Sequence, residues 1–219
     1  TAAEVRGGLE QTGHRPIERL RQLDLINPAL MAVHMTQLET EELELFAASG
    51  AQVVHCPESN LKLASGHCPV GRLMDAGVNV ALGTDGAASN NDLDMLGEMQ
   101  SAALQAKGMS ADACALPAEQ ALRMASLNGA RALGIDHETG SLAVGKSADI
   151  VAIDLSQPET QPVFHPASQI VYAAGREQVQ HVWIAGRQVL HNRALTTIDL
   201  SQTLQRAGAW RDRILDNPG

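Results

Sequence analysis

Short apolar runs alternate with amphipathic stretches over the first 140 residues of the chain. The runs at 30–34, 51–56 and 78–83 are largely apolar, and short runs of this kind are typical of buried parallel strands. Helical patterns lie around them, and their alternation with the strands predicts βαβ units with right-handed crossovers. The predicted helices lie within 1–25 (with Pro16 at a first helical position) and at 39–48, 70–76, 92–107 and 117–133.

The pattern changes after Gly140, where turn residues become frequent. A strand is predicted at 150–153, a hairpin at 179–184 and 188–191 around Ala185-Gly186-Arg187, and an amphipathic helix at 200–215. Three parallel strands alone would leave both outer strands as unpaired edges. The chain also opens inside a helix that no strand precedes. We therefore expect the second half of a larger parallel barrel, followed by an antiparallel β appendage.

Polar residues stand where the predicted strands end. Asp85 follows the third run, in Gly83-Thr84-Asp85-Gly86, while His34 and His55 end the first two. Barrel enzymes place catalytic side chains at this edge of the sheet. A carboxylate there can bind a divalent metal ion and accept a proton from metal-bound water, so a metal-assisted hydrolytic site is favoured. The structural alternatives are a turn or capping aspartate and core histidines bonded to the backbone; for His55 neither interpretation is favoured.

Other polar residues near these strand ends have simpler explanations. Asn60 lies in Glu58-Ser59-Asn60, read as a loop whose turn residues need no function, although Asn60 could orient a neighbour or a substrate. Asn91 is the most plausible cap of the following helix. His67 is expected in a solvated loop. The remaining histidines are expected in loops or in the appendage without a function: His14, His137, His165, His181 and His191.

Composition excludes several classes of protein. The net charge is -9 without a Lys/Arg cluster, and aromatic residues make up 2% of the chain, which argues against nucleic acid and anionic membranes as partners. No apolar run approaches the ~18 residues of a membrane-spanning helix. Three widely spaced cysteines indicate a reduced, cytoplasmic protein. Phosphate-binding loops and a nucleophile elbow are absent from the sequence.

Two loop motifs carry a resemblance that extends over essentially the whole chain. Residues 55–66, which read HCPESNLKLASG, and 83–91, which read GTDGAASNN, resemble the amidohydrolase superfamily and, within it, the 5-methylthioadenosine/S-adenosylhomocysteine deaminases. Residues 125–134 resemble the helix after the last strand of that family, and 140–149 resemble its return into a small β-sandwich. The resemblance implies an α/β fold: the C-terminal part of a (β/α)8 TIM-type barrel plus part of a composite β-sandwich.

The same resemblance assigns domains and roles. It implies barrel strands 6–8 with their helices at 1–138, the sandwich portion at 139–195 and a C-terminal helix at 196–219. It further implies zinc-dependent hydrolytic deamination of an adenine nucleoside, with one Zn2+ per active site, other divalent metals being possible. Asp85 matches the metal-binding aspartate of the eighth strand. His34 matches the sixth-strand histidine, which contacts the attacked water or the substrate and does not bind metal, whereas His55 matches no known ligand.

The chain departs from the family in what it lacks. It has no His-x-His pair, and the fifth-strand histidine and general-base glutamate would precede Thr1. We therefore expect the N-terminal half of the same protein as a partner, together with a small purine nucleoside substrate and a homo-oligomeric assembly. Alternatives remain: another amidohydrolase, such as a chlorohydrolase or guanine deaminase, or a catalytically silent chain that completes a partner's fold. A phosphotransferase with Asp85 as nucleophile is disfavoured, because no phosphate loop is present.

Overall fold

The computed structural model describes residues 1–216 and contains a parallel sheet at the predicted place. Its strands are β1 (Met31–Val33), β2 (Gln52–His55) and β3 (Val80–Leu82), in the order β1-β2-β3. Val33 pairs with Val54, and His55 pairs with Leu82. The three predicted strands are confirmed, each shortened at both ends. All three carboxyl ends therefore lie along one edge of the sheet.

Helices precede, connect and follow these strands. They are α1 (Ala2–Thr12), α2 (Pro16–Gln22), α3 (Thr40–Ser49), α4 (Pro57–Lys62), α5 (Val70–Asp75), α6 (Met95–Ser110), α7 (Ala118–Met124) and α8 (Leu127–Ala132). Pro16 occupies the first turn of α2, where its missing N–H costs nothing. Gly50 and Gly134 both adopt left-handed backbone just after α3 and α8, a conformation that glycine reaches without a steric penalty.

The hydrophobic core lies between one face of the sheet and the helices. Val53 and Val80 are fully buried there against Phe46 of α3, Leu73 of α5 and Met124 of α7. The opposite face of β1 is open, since Met31 and Val33 remain 42% and 46% exposed. Burial of apolar surface, worth about 25 cal/mol per Å2, thus stabilises the packed face, whereas the opposite face of β1 stays open.

A second sheet is antiparallel, as expected for the appendage. It comprises β4 (Ile150–Ile153), β5 (Val179–Ile184), β6 (Arg187–His191) and β7 (Ala194–Leu195), in that order. The β5–β6 hairpin turns at Ala185 and Gly186, both with positive φ. Helix α9 (Pro166–Tyr172) enters between β4 and β5 and packs on α6 and α7. This helix was not predicted from the sequence.

The predicted helix at 117–133 is wrong in one respect, because the chain breaks into α7 and α8. Ser126 leaves helical backbone (φ -133°, ψ -91°), and its hydroxyl donates to the carbonyl of Leu122. The break allows buried Asn128 to donate to the carbonyl of Val80 in β3. A buried backbone acceptor would otherwise be left unsatisfied, so a tertiary hydrogen bond overrides the local helical pattern.

Helix α10 (Leu200–Asp216) ends the described part of the chain. It was predicted at 200–215, and the expected C-terminal segment 196–219 extends beyond it into residues outside the described ones. Its apolar residues Leu204, Trp210 and Ile214 are exposed. Among residues 1–216, no helix combines the length and apolar character needed to cross a membrane.

Candidate active site

The structure brings His34 and Asp85 together at the carboxyl edge of the parallel sheet. Nε2 of His34 lies 3.7 Å from Oδ2 of Asp85, and both side chains are partly exposed, at 39% and 33%. His34 follows β1 directly and Asp85 stands three residues after β3. Both adopt left-handed backbone, with φ of 72° and 62°. Such conformations are costly for residues other than glycine and concentrate at functional sites.

Three hydrogen bonds hold the Asp85 carboxylate. The hydroxyls of Ser89 and Ser59 donate to Oδ2 at 2.6 and 2.8 Å, and the backbone N–H of Gly86 donates to Oδ1 at 2.7 Å. These hydrogen bonds lower the pKa of Asp85 to about 2. The bond from Ser89 has the largest effect, followed by those from Ser59 and Gly86. The carboxylate is therefore fixed and ionised at neutral pH, which suits a metal ligand or a proton acceptor.

His34 is oriented by Asn60. Its Nδ1 lies 2.9 Å from Oδ1 of Asn60. An amide oxygen only accepts, so Nδ1 donates, and in the neutral ring Nε2 then keeps its lone pair. That lone pair and Oδ2 of Asp85 border the same space. Two neighbouring acceptors are stabilised by a cation or a hydrogen-bond donor between them.

Ser59 and Asn60 belong to α4, where a loop was expected. That expectation was wrong, because Pro57 at the first helical position starts a short helix rather than a turn. Both residues are buried, at 0% and 1% exposure. Adjacent residues of one helix thus hold Asp85 and His34 respectively. The sequence indicated that Asn60 could orient a neighbour but did not identify Ser59 and Ser89. The helix start at Cys56-Pro57 was the available signal for Ser59.

Residues 86–94 form the loop that follows Asp85, called here the rim loop. Lys62 Nζ donates to the carbonyl of Ala88 and to Oδ1 of Asn91. Asn91 is therefore not the expected cap of α6; Asp94 caps it, accepting from the N–H of Leu96. Oδ1 of Asn90 accepts from the backbone N–H groups of Asp92 and Leu93, which form a turn there. The helix α6 therefore begins only after Asp94.

The second sheet reaches the rim loop through Arg176. This residue lies just before β5 and contacts the carboxylate of Asp92, and its Nε is 3.4 Å from Oδ2 of Asp94. It also donates to the backbone carbonyl of Asp92 at 3.3 Å. The antiparallel sheet is thereby connected to the loop that follows Asp85.

His55 is buried and is not part of the exposed pair formed by His34 and Asp85. Its side chain is 2% exposed, and burial lowers its pKa to about 4, so the ring is neutral at pH 7. Its Nδ1 has no hydrogen-bond partner within residues 1–216. Strand alternation explains the placement, because His55 shares the face of fully buried Val53. His67 is in an exposed loop as expected, with Nδ1 3.4 Å from Gln105.

The described residues do not form a complete metal site. In the range 1–216, no three His, Cys, Asp or Glu side chains are grouped so that they could hold an ion. Catalytic zinc uses about three protein ligands. A zinc ion bound at Asp85 would need further ligands from outside these residues.

Comparison with known proteins identifies the class. The model of the amidohydrolase family matches residues 2–189, and the chain belongs to that family. Curated relatives include a 5-methylthioadenosine/S-adenosylhomocysteine deaminase of Teredinibacter turnerae, 48% identical over 98% of this chain and 48% of the relative. A protein of the same name from Syntrophobacter fumaroxidans is 47% identical over 93% of this chain and 47% of its own length. The chain thus spans about half the length of these relatives.

Solved structures agree with the fold. A crystal structure described as an adenosine deaminase from Xanthomonas campestris with bound zinc superposes with a TM-score of 0.97 at 54% identity, covering 99% of this chain and 49% of that one. Atrazine chlorohydrolase from Arthrobacter aurescens TC1 complexed with zinc gives 0.88 at 26% identity, covering 94% and 46%. The expected mixed α/β fold of amidohydrolases is confirmed.

Proposed function

We propose that this chain supplies part of the active site of a zinc-dependent enzyme that hydrolytically deaminates an adenine nucleoside of the 5'-methylthioadenosine or S-adenosylhomocysteine type. The observation that carries the proposal is that His34 and Asp85, which follow the two outer strands, meet at the carboxyl edge of the sheet, each hydrogen-bonded to a residue of α4. The names of the relatives that match almost the whole chain support the substrate class.

Asp85 acts as metal ligand and proton acceptor. Its carboxylate is ionised, is fixed by three donors and remains one-third exposed, so it can be reached by water. Zinc, when bound, lowers the pKa of a coordinated water toward ~7. The proton of the attacking water passes to Asp85. The released ammonia takes its proton from an acid outside this chain, expected to be the glutamate that precedes Thr1 in the resemblance.

His34 contacts the reacting group through Nε2 and does not bind the metal. Asn60 acts through His34, because its Oδ1 is engaged with Nδ1 and its side chain is buried. A ring fixed in one orientation and one tautomer loses less entropy when the reacting group arrives. The site therefore needs both Asn60 and Ser59 to be correctly placed before substrate binds.

The remaining ligands come from the N-terminal half of the protein. Its relatives are about twice as long as this chain, and one face of β1 is open where further barrel strands would pack. The complete barrel is proposed to be a (β/α)8 fold with residues 1–138 as its last part and 139–195 completing a small sandwich. Assembly of the complete protein into a homo-oligomer remains a prediction.

A substrate panel tests the function. Ammonia release by the zinc-loaded full-length protein is measured with 5'-methylthioadenosine, S-adenosylhomocysteine, adenosine and guanine, and chloride release with atrazine. We expect the highest kcat/KM for one of the two sulfur-containing nucleosides. Preference for guanine or atrazine would replace the proposal with the corresponding amidohydrolase activity, and the atrazine arm is included because of the structural similarity described above.

Zinc analysis separates an active site from a purely structural contribution. We expect metal analysis by mass spectrometry to find one zinc ion per chain in the full-length protein. In residues 1–219 alone, we expect far less than one. Zinc-free full-length protein without activity toward any substrate of the panel would instead indicate a chain that only completes a fold.

A further inference from the structure

Glu98 is a fully buried carboxylate on α6 for which the proposed chemistry has no use. Its neighbours on the buried side of this helix are apolar, including Met99 and Ala102. An ionisable group in such surroundings is costly unless its oxygens are hydrogen-bonded. Both oxygens of Glu98 are bonded: Oε2 accepts from the backbone N–H of Glu58 at 3.2 Å, and Oε1 accepts from Nδ2 of Asn90 at 2.6 Å.

These two bonds reach the two segments that hold the active site. Glu58 lies in the first turn of α4, directly before Ser59. Asn90 lies in the rim loop, directly after Ser89, and its Oδ1 accepts from the N–H groups of the next turn. Glu98 thus connects α4 with the rim loop, and Asp85 accepts hydrogen bonds from a serine on each of them.

The carboxylate of Glu58 completes this polar cluster. It accepts from the hydroxyl of Ser101 at 2.9 Å and lies 3.4 Å from Nδ2 of Asn90. Burial first, and the negative charge of Glu58 as a smaller cause, raise the pKa of Glu98 to about 7. A leucine would fill the same volume without this cost. The particular contribution of Glu98 is therefore its pair of hydrogen bonds.

We propose that Glu98 is a positioning residue of the active site, holding α4 and the rim loop together so that Asp85 and His34 keep their separation. It touches neither substrate nor metal; it acts through Ser59, Asn60 and Ser89. The kinetic consequence rests on the deaminase function proposed above, whereas the structural consequence does not.

Glu98→Gln in the full-length enzyme tests the proposal. The amide nitrogen cannot accept, so either Glu58 N–H or Asn90 Nδ2 loses its partner. We expect kcat to fall about tenfold or more, within the range usual for residues that support catalytic groups, with KM changed by less than about threefold. Zinc content is expected to stay at the wild-type level.

Met99→Ala is the matched control. Met99 neighbours Glu98 on α6 and is 3% exposed, so the substitution destabilises the same helix without removing a hydrogen bond of the cluster. Its kcat per folded molecule is expected to remain at the wild-type value. Equal kcat losses in Glu98→Gln and Met99→Ala, or an unchanged kcat in Glu98→Gln, would overturn the proposal.

An activity-independent measurement distinguishes failure of this inference from failure of the function. With 15N-labelled histidine, and the His34 signal assigned by its loss in His34→Gln, the wild-type ring is expected to be the Nδ1–H tautomer at pH 8. Glu98→Gln is expected to shift this signal toward the mixed-tautomer position, and Met99→Ala is not. An unshifted signal rejects Glu98 as a positioning residue even if deamination is confirmed; a shifted signal in a protein without deaminase activity rejects the function alone.

Should Glu98→Gln not fold, Asn90→Ala provides the same test. It leaves the carboxylate bonded to Glu58 N–H. It removes the hydrogen bond from Nδ2 of Asn90 to Glu98, the contact of Nδ2 with Glu58, and the two bonds that Oδ1 accepts within the rim loop. The same loss of kcat and the same shift of the His34 signal are expected, and wild-type values for both would reject the proposal.

Discussion

Nε2 of His34 lies 3.7 Å from Oδ2 of Asp85, although the two residues follow the two outer strands of the parallel sheet. Strand β2 lies between them, and α4 follows β2 directly. The helix therefore stands above the middle strand, with Ser59 bonded to Asp85 and Asn60 bonded to His34. The distance between the two side chains is set by consecutive residues of one short helix.

Asp85→Asn is expected to remove activity in the full-length enzyme. The substitution replaces an ionised ligand and proton acceptor with a neutral amide, and loss of such a group lowers kcat about 10²–10⁴-fold. Bound zinc is expected to decrease as well. Asp92→Asn, which alters a carboxylate of the rim loop that contacts Arg176, is the control and should retain zinc. An active Asp85→Asn enzyme with full zinc content would contradict the assignment.

His34→Ala is expected to lower kcat about 100-fold or more while leaving zinc nearly stoichiometric, because a preorganised hydrogen-bonding group is lost but no ligand is. Steady-state kinetics and metal analysis of the same preparation provide the measurement. His67→Ala, in an exposed loop, is the matched histidine control. If zinc is lost together with His34, then His34 is a ligand and its proposed role is wrong.

Because His55 is buried, we expect the free energy of unfolding to depend on pH. Burial lowers its pKa from 6.5 to about 4, so the folded state excludes a proton that the unfolded state binds below pH 6.5. Its contribution is present above pH 6.5 and is lost as the pH falls toward 4, by at most about 3 kcal/mol. Urea unfolding of the full-length protein at pH 7 and 5 should show a smaller loss for His55→Gln than for wild type, and His14→Gln, at an exposed position, should behave as wild type. Parallel losses in all three proteins would refute this.

Residues 1–219 expressed alone are expected to aggregate. Both outer strands present an edge, and the open face of β1 leaves Met31 and Val33 in water. Co-expression with the N-terminal half of the full-length protein should give a soluble complex on gel filtration. A monodisperse chain that melts cooperatively without this complement would show that the half-barrel interpretation is mistaken.

The sequence predicts the sheet well because each strand is a short apolar run bounded by turn residues, and the ends of neighbouring parallel strands necessarily meet. That relationship places His34 and Asp85 at one edge of the sheet, and α4 above the middle strand brings their side chains together. Strand alternation also accounts for His55, because residues two apart on a strand share a face and Val53 lies in the core.

Long-range hydrogen bonds account for what the sequence did not predict. The break before α8 depends on Asn128 reaching the carbonyl of Val80, and α4 is held at its start by Glu98. Ser89 belongs to the site only because the rim loop turns back over Asp85. Partners distant in sequence decide the first two of these features, which neither periodicity nor local propensity predicts. Ser89 lies only four residues after Asp85 and contacts it through the local turn of the rim loop.

Arg176 gives the antiparallel sheet a mechanical role. Its guanidinium group holds both Asp92 and Asp94, so one arginine ties the start of β5 to the two ends of the last turn before α6. Arg193, in the turn after β6, in turn donates to the carbonyls of Arg176 and Glu177. The start of the hairpin is therefore joined to the rim loop that follows Asp85, so a displacement of the small sheet would strain the contacts of Arg176 with that loop.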